Sequence, residues 1–408
     1  MIKTFGLLGE KLGHSYSPLI HSYLGEYDYP LYEISSGCLE KFMLDKNFDG
    51  INVTIPYKQA VIPYCSSLSD EAQTIDSVNT IIKQKDGSLH GYNTDYHGFA
   101  EMLKQGNIDP SEKKVLILGN GGSAQTVKAV LDGSSVKKAI VISRSGESNY
   151  SNIDRHYDAE IIINTTPVGM YPDNGISPLN LKFFTNLKGV ADLIYNPMRT
   201  KLLLEAEKLG IPCINGITML VAQAEMASRL FTNKQARPDI VTKIIDEIKK
   251  KTINITLIGM PGCGKSTVGK SLAKKTGRPF VDIDTQVEEA AGKSIPDIFT
   301  ESGEETFRQL ETRVLTEESK KNNTVIATGG GIVSRPENLD LLRQNSYIVY
   351  LKRDLTDLSI NGRPLSQGVG IETLASRRLP LYEAWSDLTI NVKSDPEETA
   401  ESILKELQ

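Results

Sequence analysis

The chain has 408 residues, a formal net charge of −5, 39% hydrophobic and 24% charged residues. That length allows two or three domains with their own cores, and the acidic balance gives no general case for a nucleic-acid partner. No apolar run reaches the roughly 18 residues of a membrane span, and no basic-then-apolar start marks a signal peptide, so neither a membrane partner nor export is expected. The four cysteines (Cys38, Cys65, Cys213, Cys263) are scattered without metal spacing, and a cytoplasmic location fits them best. Glycines fall between short apolar runs throughout, which makes the expected fold class α/β.

A first strand is expected over 4–9. It runs into Gly13-His14-Ser15-Tyr16-Ser17-Pro18 and a helical stretch to about Leu24. A strand over 50–54 runs into Asn52-Val53-Thr54-Ile55-Pro56-Tyr57-Lys58, and Asp76-Ser77-Val78-Asn79-Thr80 and Gly91-Tyr92-Asn93-Thr94-Asp95 follow. These four polar clusters fall at strand ends or turns, where an α/β sheet presents groups to a ligand. Their one lysine, carboxylates, hydroxyls and amides suit a small polyhydroxylated acid.

A second unit opens at Lys113. A strand over 115–118 is followed by Gly119-Asn120-Gly121-Gly122-Ser123-Ala124 and a helix to about Leu131. This G-x-G-G-x-A is a compact relative of the dinucleotide fingerprint. The next strand, over 139–142, ends in Ser143-Arg144-Ser145. A carboxylate there would serve the ribose 2′-hydroxyl of NAD; a guanidinium flanked by hydroxyls pairs instead with a 2′-phosphate, so the cofactor is read as NADP(H). The cofactor-binding set is Gly119, Gly121, Gly122, Ser123, Ala124, Ser143, Arg144, Ser145 and Gly216. Only about fifteen residues separate Arg144 from a strand over 160–164, too few for a full crossover, so one crossover helix is expected to shrink to a turn or loop. A strand over 189–193, a helix opened by Gly216-Ile217-Thr218-Met219 and an amphipathic helix over 240–250 complete this half. Lys249, Lys250 and Lys251 complement the dipole at that last helix's C-terminus.

The stretch 259–267 reads G-M-P-G-C-G-K-S-T, preceded by a β-branched run over 253–258 and followed by a helix over 266–276. Strand, glycine loop and helix in this order make a nucleoside-triphosphate site, and the loop alone does not say which nucleotide it takes. The N–H groups around Gly259, Gly262, Cys263 and Gly264 converge on an anion, and the helix start adds partial positive charge. Lys265 reaches the outer phosphates, the Ser266 hydroxyl can ligate Mg²⁺, and Thr267 completes the loop. Cys263 is a candidate for alkylation, although a filler position in the loop is the simpler reading.

The first 250 residues resemble shikimate dehydrogenase. They carry G-H-S-x-S-P, N-V-T-x-P-x-K, V-N-T, N-T-D and G-x-x-M-L-x-x-Q-A in that family's order. The resemblance implies that Ser15 and Ser17 bind a shikimate carboxylate, that Thr54, Asn79 and Gln223 hold its hydroxyls, that Tyr195 lies nearby, and that Lys58 and Asp95 are the catalytic pair. The segment 146–158 departs from the family pattern. The chain from about Ile253 onward resembles shikimate kinase, on the phosphate loop, Asp282-Ile283-Asp284, Gly303 to Arg308, Ala327-Thr328-Gly329-Gly330-Gly331, Gly362-Arg363-Pro364-Leu365 and Arg378-Leu379-Pro380-Leu381-Tyr382. That resemblance implies that Asp284, Arg308, Arg378 and the turn of Gly329, Gly330 and Gly331 bind shikimate. It also implies that Asp282 supports Mg²⁺ and that Arg363 rides a lid, about 356–371, closing over ATP.

The expected architecture is therefore a substrate-binding α/β domain over 1–98, joined by helices at about 220–250; a Rossmann-like NADP domain over 99–219; and a P-loop domain of the nucleoside-monophosphate-kinase type over 253–408. Lysine has an ordinary pKa of about 10.4, so Lys58 suits proton donation during reduction better than proton abstraction. Arg308 and Arg378 can grip a carboxylate with a planar fork. Lys265, Asp284 and Arg363 are the catalytic set of the second site, Asp284 orienting the acceptor hydroxyl. The expected activity is reduction of 3-dehydroshikimate followed by phosphorylation of shikimate, with small molecules as partners, in a monomer or homodimer. Quinate in the first site, gluconate in the second, or one half reduced to a binding module are the alternatives.

Overall fold

The structure is a computed structural model that describes residues 3–13, 15–235, 237, 239–358 and 370–407. The chain divides into two compact units. One comprises Met1–Gly169, Ser177–Tyr195 and Glu205–Glu247; the other comprises Met170–Ile176, Asn196–Leu204 and Ile248–Gln408.

The N-terminal unit holds two sheets. The first contains β1 (Leu7–Gly9), β2 (Leu31–Glu33), β3 (Gly50–Val53), β4 (Ser67–Leu68), β5 (Thr80–Lys83) and β6 (Leu89–Tyr92), in the order β2-β1-β3-β5-β6-β4. It is mixed: β1 pairs in parallel with β2 and β3, while β5 runs antiparallel to β3 and β6. The second contains β7 (Lys114–Leu118), β8 (Lys138–Ile142), β9 (Ile161–Asn164), β10 (Gly189–Asp192) and β11 (Cys213–Asn215), in the order β11-β10-β9-β7-β8. All its pairs are parallel, and β9 and β10 are buried along their whole length, as a sheet covered on both faces requires. The link from β8 to β9 is a 3₁₀ segment, Tyr150–His156, capped by Asn149. The short spacing thus produces the reduced crossover it predicts.

Helices Thr94–Gln105 and Ile217–Thr232 cross closely in this unit. A Cβ on Gly98 would lie 2.6 Å from the Met219 carbonyl oxygen and 3.0 Å from Gln223 Cβ. Only glycine permits that approach, which brings the start of one helix and the middle of the other to a common cleft.

The C-terminal unit is built on β12 (Asn254–Ile258), β13 (Phe280–Asp282), β14 (Val325–Ala327), β15 (Ser346–Lys352) and β16 (Leu388–Asn391), in the order β13-β14-β12-β15-β16, all parallel. β12 is central and buried at every residue. Helices Lys265–Thr276 and Pro396–Glu406 pack together within this unit, and Leu257, Leu272, Leu315, Val349 and Ile403 lie in one continuous core. The segments Met170–Ile176 and Asn196–Leu204 belong here by contact: Arg199 N–H donates to the Gln344 carbonyl at 3.0 Å and Tyr171 Oη to that of Ser319 at 3.3 Å. Among the described residues no helix is long and apolar enough to cross a membrane.

Candidate active sites

One cleft of about 450 Å³ in the N-terminal unit gathers Ser15, Ser17, Thr54, Lys58, Asn79, Asp95, Tyr195 and Gln223, together with Ser123 and Gly216 from the cofactor set. Lys58 Nζ donates to Asp95 Oδ2 at 2.6 Å. Asp95 stands in the first turn of its helix, where the dipole favours a carboxylate, and the Asn93 side chain caps that helix by accepting from Tyr96 N–H. Lys58 lies in the turn after β3, its side chain 31% exposed against 15% for Asp95. The pair is thus fixed by two elements yet open enough to exchange a proton with water.

The amides here are held as well as presented. Asn79 Oδ1 accepts from Thr94 N–H at 2.8 Å, and Gln223 Nε2 donates to the Leu220 carbonyl at 2.9 Å. Ser15 Oγ accepts from Ser17 N–H at 3.1 Å. Tyr195 packs its ring 6.0 Å from that of Tyr16, and burial followed by Tyr16 raises its phenol pKa. Gly216 approaches the Leu193 carbonyl so closely that any side chain would collide with it.

Two residues of this region, one inside a quoted motif and one just past another, have no role assigned to them by the sequence reading. Asn52 lines the cleft, donates to Thr80 Oγ1 at 2.9 Å and accepts from Tyr29 Oη at 2.7 Å. His21, three residues past the serine-proline motif, stacks on Tyr29 at 3.9 Å and bonds Tyr27 Oη through Nδ1 at 2.7 Å. Burial drives its pKa down to about 3, so it stays neutral.

The dinucleotide loop leaves β7 at Gly119, whose φ of +105° is the left-handed conformation glycine favours. A Cβ there would meet Thr165 Oγ1 at 2.7 Å, just past β9. This is the point where the strand order reverses, the crevice in which such sheets bind dinucleotides. Gly121 is the N-cap of helix Gly122–Asp132 and makes no side-chain cap bond among the described residues, and Gly121, Gly122 and Ser123 are exposed, so this helix start could hold a pyrophosphate. Ala124 is buried beneath them. Arg144 and Ser145 are exposed at the end of β8. Ser143 differs from its neighbours: it is buried, and a Cβ on Gly146 would sit 2.6 Å from its Oγ. Its hydroxyl packs inside the 143–149 loop, leaving Arg144 and Ser145 as the groups open to a 2′-phosphate.

A second cleft, about 530 Å³, lies in the C-terminal unit. Gly262, Gly264, Lys265, Ser266, Thr267, Asp284, Arg308, Gly329, Gly330, Gly331 and Arg378 all line it. Gly259, Gly262 and Gly264 have positive φ, which curls the loop, and Gly264 begins helix Lys265–Thr276 with its N–H groups uncapped. Lys265 Nζ donates to the carbonyls of Gly259 at 2.9 Å and Met260 at 3.0 Å, so the ammonium is held at the loop's mouth. Cys263 is fully buried, with the Lys265 ammonium 3.9 Å from its sulfur. Its side chain is therefore core filling, shielded from alkylation, and only its backbone can face a phosphate.

Ser266 Oγ donates to Asp282 Oδ2 at 2.5 Å, and Asp282 Oδ1 caps Asp284 N–H at 3.1 Å. A hydroxyl and a carboxylate beside an anion cradle are the hard oxygen donors Mg²⁺ takes when it keeps most of its waters. Asp284 is pushed up to about 6 by burial, then by Glu311 and Asp282, against the pull of Lys265 and Arg308. Arg308 Nη1 donates to Glu311 Oε2 at 2.7 Å, both side chains being buried. Glu311, which the motif reading leaves out, fixes the fork; its other oxygen lacks a hydrogen-bond partner among the described residues, and burial raises its pKa despite Arg308 and Arg378. The glycine turn is a matter of space. A Cβ on Gly329 would reach Glu311 Oε1 at 2.5 Å and Asp284 Oδ1 at 2.6 Å; one on Gly330 would meet Pro261 at 2.6 Å; one on Gly331 would overlap the Arg308 guanidinium. Tyr382 Oη bonds the Gly330 carbonyl, tying the helix that carries Arg378 to this turn. Arg363 lies outside the described residues, as does most of the expected lid.

Shikimate dehydrogenase (NADP(+)) from Clostridium perfringens strain SM101 is 34% identical to this chain over 274 residues, spanning 61% of this chain and 99% of the relative. The chain belongs to the shikimate dehydrogenase family. The family model of the shikimate dehydrogenase substrate binding domain matches residues 7–81, and that of shikimate kinase matches residues 261–408. Among solved structures, a chorismate mutase/shikimate 5-dehydrogenase fusion protein from Clostridium acetobutylicum is 33% identical with a TM-score of 0.58, over 61% of this chain and 97% of that one. Shikimate 5-dehydrogenase from Thermus thermophilus, in complex with NADP(H) and shikimate, is 29% identical with a TM-score of 0.55, over 60% of this chain and 99% of that one. This protein is thus a dehydrogenase–kinase fusion of the shikimate pathway: an NADP-dependent oxidoreductase joined to an ATP-using phosphotransferase.

Proposed function

We propose that the N-terminal site reduces 3-dehydroshikimate with NADPH and that the C-terminal site transfers a phosphoryl group from MgATP to the shikimate formed, giving shikimate 3-phosphate. The observation that carries the reading is the 2.6 Å Lys58–Asp95 pair, set in one cleft with Ser15, Ser17 and the Ser123 end of the dinucleotide loop. NADPH supplies the hydride when bound. Ser15 and Ser17 bind the substrate carboxylate, and Thr54, Asn79 and Gln223 orient the ring. Lys58 gives its proton to the developing alkoxide, and Asp95 holds the ammonium in place. Water returns the proton through the exposed side of Lys58.

In the second cleft Arg308 and Arg378 hold the shikimate carboxylate, and Asp284 accepts a hydrogen bond from the attacking hydroxyl, aligning it and drawing off its proton. Lys265 and the loop N–H groups balance charge on the transferred phosphoryl group. Mg²⁺ held by Ser266 and Asp282 would neutralise charge on the phosphate chain. Arg363 is assigned the closing charge on the nucleotide. The four cysteines, scattered without metal spacing, support a reducing, cytoplasmic location, and the functional unit is read as a monomer or homodimer acting on small molecules alone.

The test is a two-stage assay. NADPH should be consumed with 3-dehydroshikimate and not with 3-dehydroquinate, and ADP should then appear when MgATP is added. NADPH oxidation that gives no substrate for the second stage, or ADP release with gluconate in place of shikimate, would break the assignment.

A further inference from the structure

Four cations line the C-terminal cleft: Lys265, Arg308, Arg353 and Arg378. Two have hydrogen-bond partners within the protein: Lys265 bonds two loop carbonyls, and Arg308 bonds Glu311 and Glu304. Arg378 lies beside the Tyr382 phenol, whose hydroxyl bonds the Gly330 carbonyl, and is assigned to the acceptor carboxylate. Arg353 has no hydrogen bond or ion pair among the described residues, although it is half-buried. An arginine that lines a cleft beside an anion cradle with no acceptor of its own offers its planar fork to a bound anion.

Topology says which anion. Arg353 directly follows β15, which pairs in parallel with β12 through Ile258↔Tyr350. One residue further, the Leu351 carbonyl lies 2.7 Å from where a Cβ on Gly259 would be. Arg353 therefore leaves the sheet on the edge where the phosphate loop begins. Asp284 and the glycine turn of the acceptor site come from the other side of β12: Asp284 follows β13, and Gly329 to Gly331 follow β14. The cleft thus has an acceptor flank on the β13–β14 side and a donor flank on the β15 side, and Arg353 stands on the donor flank.

We propose that Arg353 is a nucleotide-binding residue whose guanidinium pairs with the phosphate chain of the ATP held by the loop 259–267. It adds a second cation, beside Lys265, to the donor flank, and it acts from a strand end rather than from the 356–371 segment. The inference rests on the kinase reading of this cleft.

Isothermal titration of the full chain with MgATP, MgADP and, separately, shikimate tests it. In R353M the dissociation constants for both nucleotides should rise roughly tenfold, the loss of one charge-assisted hydrogen bond, while shikimate binding changes less than about twofold. R353K keeps the charge without the planar fork and should fall between R353M and the wild type. Retained NADPH oxidation and retained shikimate binding report that a variant is folded; if R353M is not, R353K against wild type decides. Nucleotide affinity equal in wild type and both variants overturns the proposal, and so does a loss confined to shikimate. A wild-type chain that binds shikimate but no nucleotide overturns the kinase reading itself, and the proposal with it.

Discussion

The N-terminal cleft places one ion pair, Lys58–Asp95, among hydroxyls and amides; the C-terminal cleft sets four cations and three carboxylates around a phosphate loop. Both are assigned the same small ring acid, so the difference reflects the reaction rather than the ligand. Reducing a ketone to an alcohol creates charge only transiently, at one oxygen, and a single proton donor meets that need. Phosphoryl transfer brings a carboxylate and a polyphosphate into one pocket, where repulsion must be offset before positioning can help. The burial follows suit. Lys58 keeps 31% of its side chain in solvent, whereas Arg308 keeps 7% and its partner Glu311 none.

The sharpest break of that comparison is Asp284→Asn. It leaves the arginines in place and removes the proton acceptor, so kinase turnover should fall by about 10²–10⁴-fold while NADPH oxidation is unchanged. Loss of both activities would mean that the two clefts are not independent. Lys58→Met is the reciprocal test: dehydrogenase turnover should fall by about 10²–10³-fold with little change in KM, and phosphorylation of added shikimate should be unaffected. Near-native turnover in that variant removes Lys58 from the mechanism.

The placement of those two residues was legible in the sequence because each sits in a motif at a strand end or helix start, where local chemistry fixes position; their roles remain proposals. The phosphate loop and the reduced β8–β9 link were legible for the same reason, as spacing along one stretch of chain. What could not be read is where distant stretches meet. Nothing local in Gly303 to Arg308 marks Glu311 as the partner of Arg308, one turn further along the helix. Nothing in Ser143 says that its hydroxyl packs against Gly146 rather than facing a phosphate. Arg353 lies in no motif, and its place beside the phosphate loop follows from β15 pairing with β12.

Gly331→Ala sharpens the acceptor side of the comparison. The added methyl would overlap the Arg308 guanidinium, which Glu311 prevents from swinging aside. The KM for shikimate as phosphoryl acceptor should rise roughly tenfold or more, with ATP affinity nearly unchanged. An unaltered KM would show that Arg308 is not held where the carboxylate binds. On the dehydrogenase side, Arg144→Ala should raise the KM for NADPH by roughly tenfold and leave that for NADH within about twofold, because only the 2′-phosphate loses its partner.

The smallest expected effect is the most specific to the charged cleft. Burial beside Glu311 and Asp282 holds the Asp284 carboxyl up to about 6, so on acidification it protonates while ordinary surface carboxylates are still ionised. A protonated Asp284 cannot accept the shikimate hydroxyl proton, so the loss must lie on the acid side. With both substrates well below saturation, kinase kcat/KM should be about fourfold lower at about pH 5.5 than at about pH 7.5, approaching tenfold per unit further down. Asp284→Asn should abolish this limb together with the activity, whereas Asp284→Glu, if it retains measurable turnover, should shift the midpoint. The dehydrogenase, assayed in the same tubes, serves as the control. Reduction takes up a proton, so a dehydrogenase loss with the same midpoint would point to a global change in the chain. A kinase limb confined to about pH 4 would mean that the Asp284 carboxyl of the free enzyme is not raised, and would overturn the prediction.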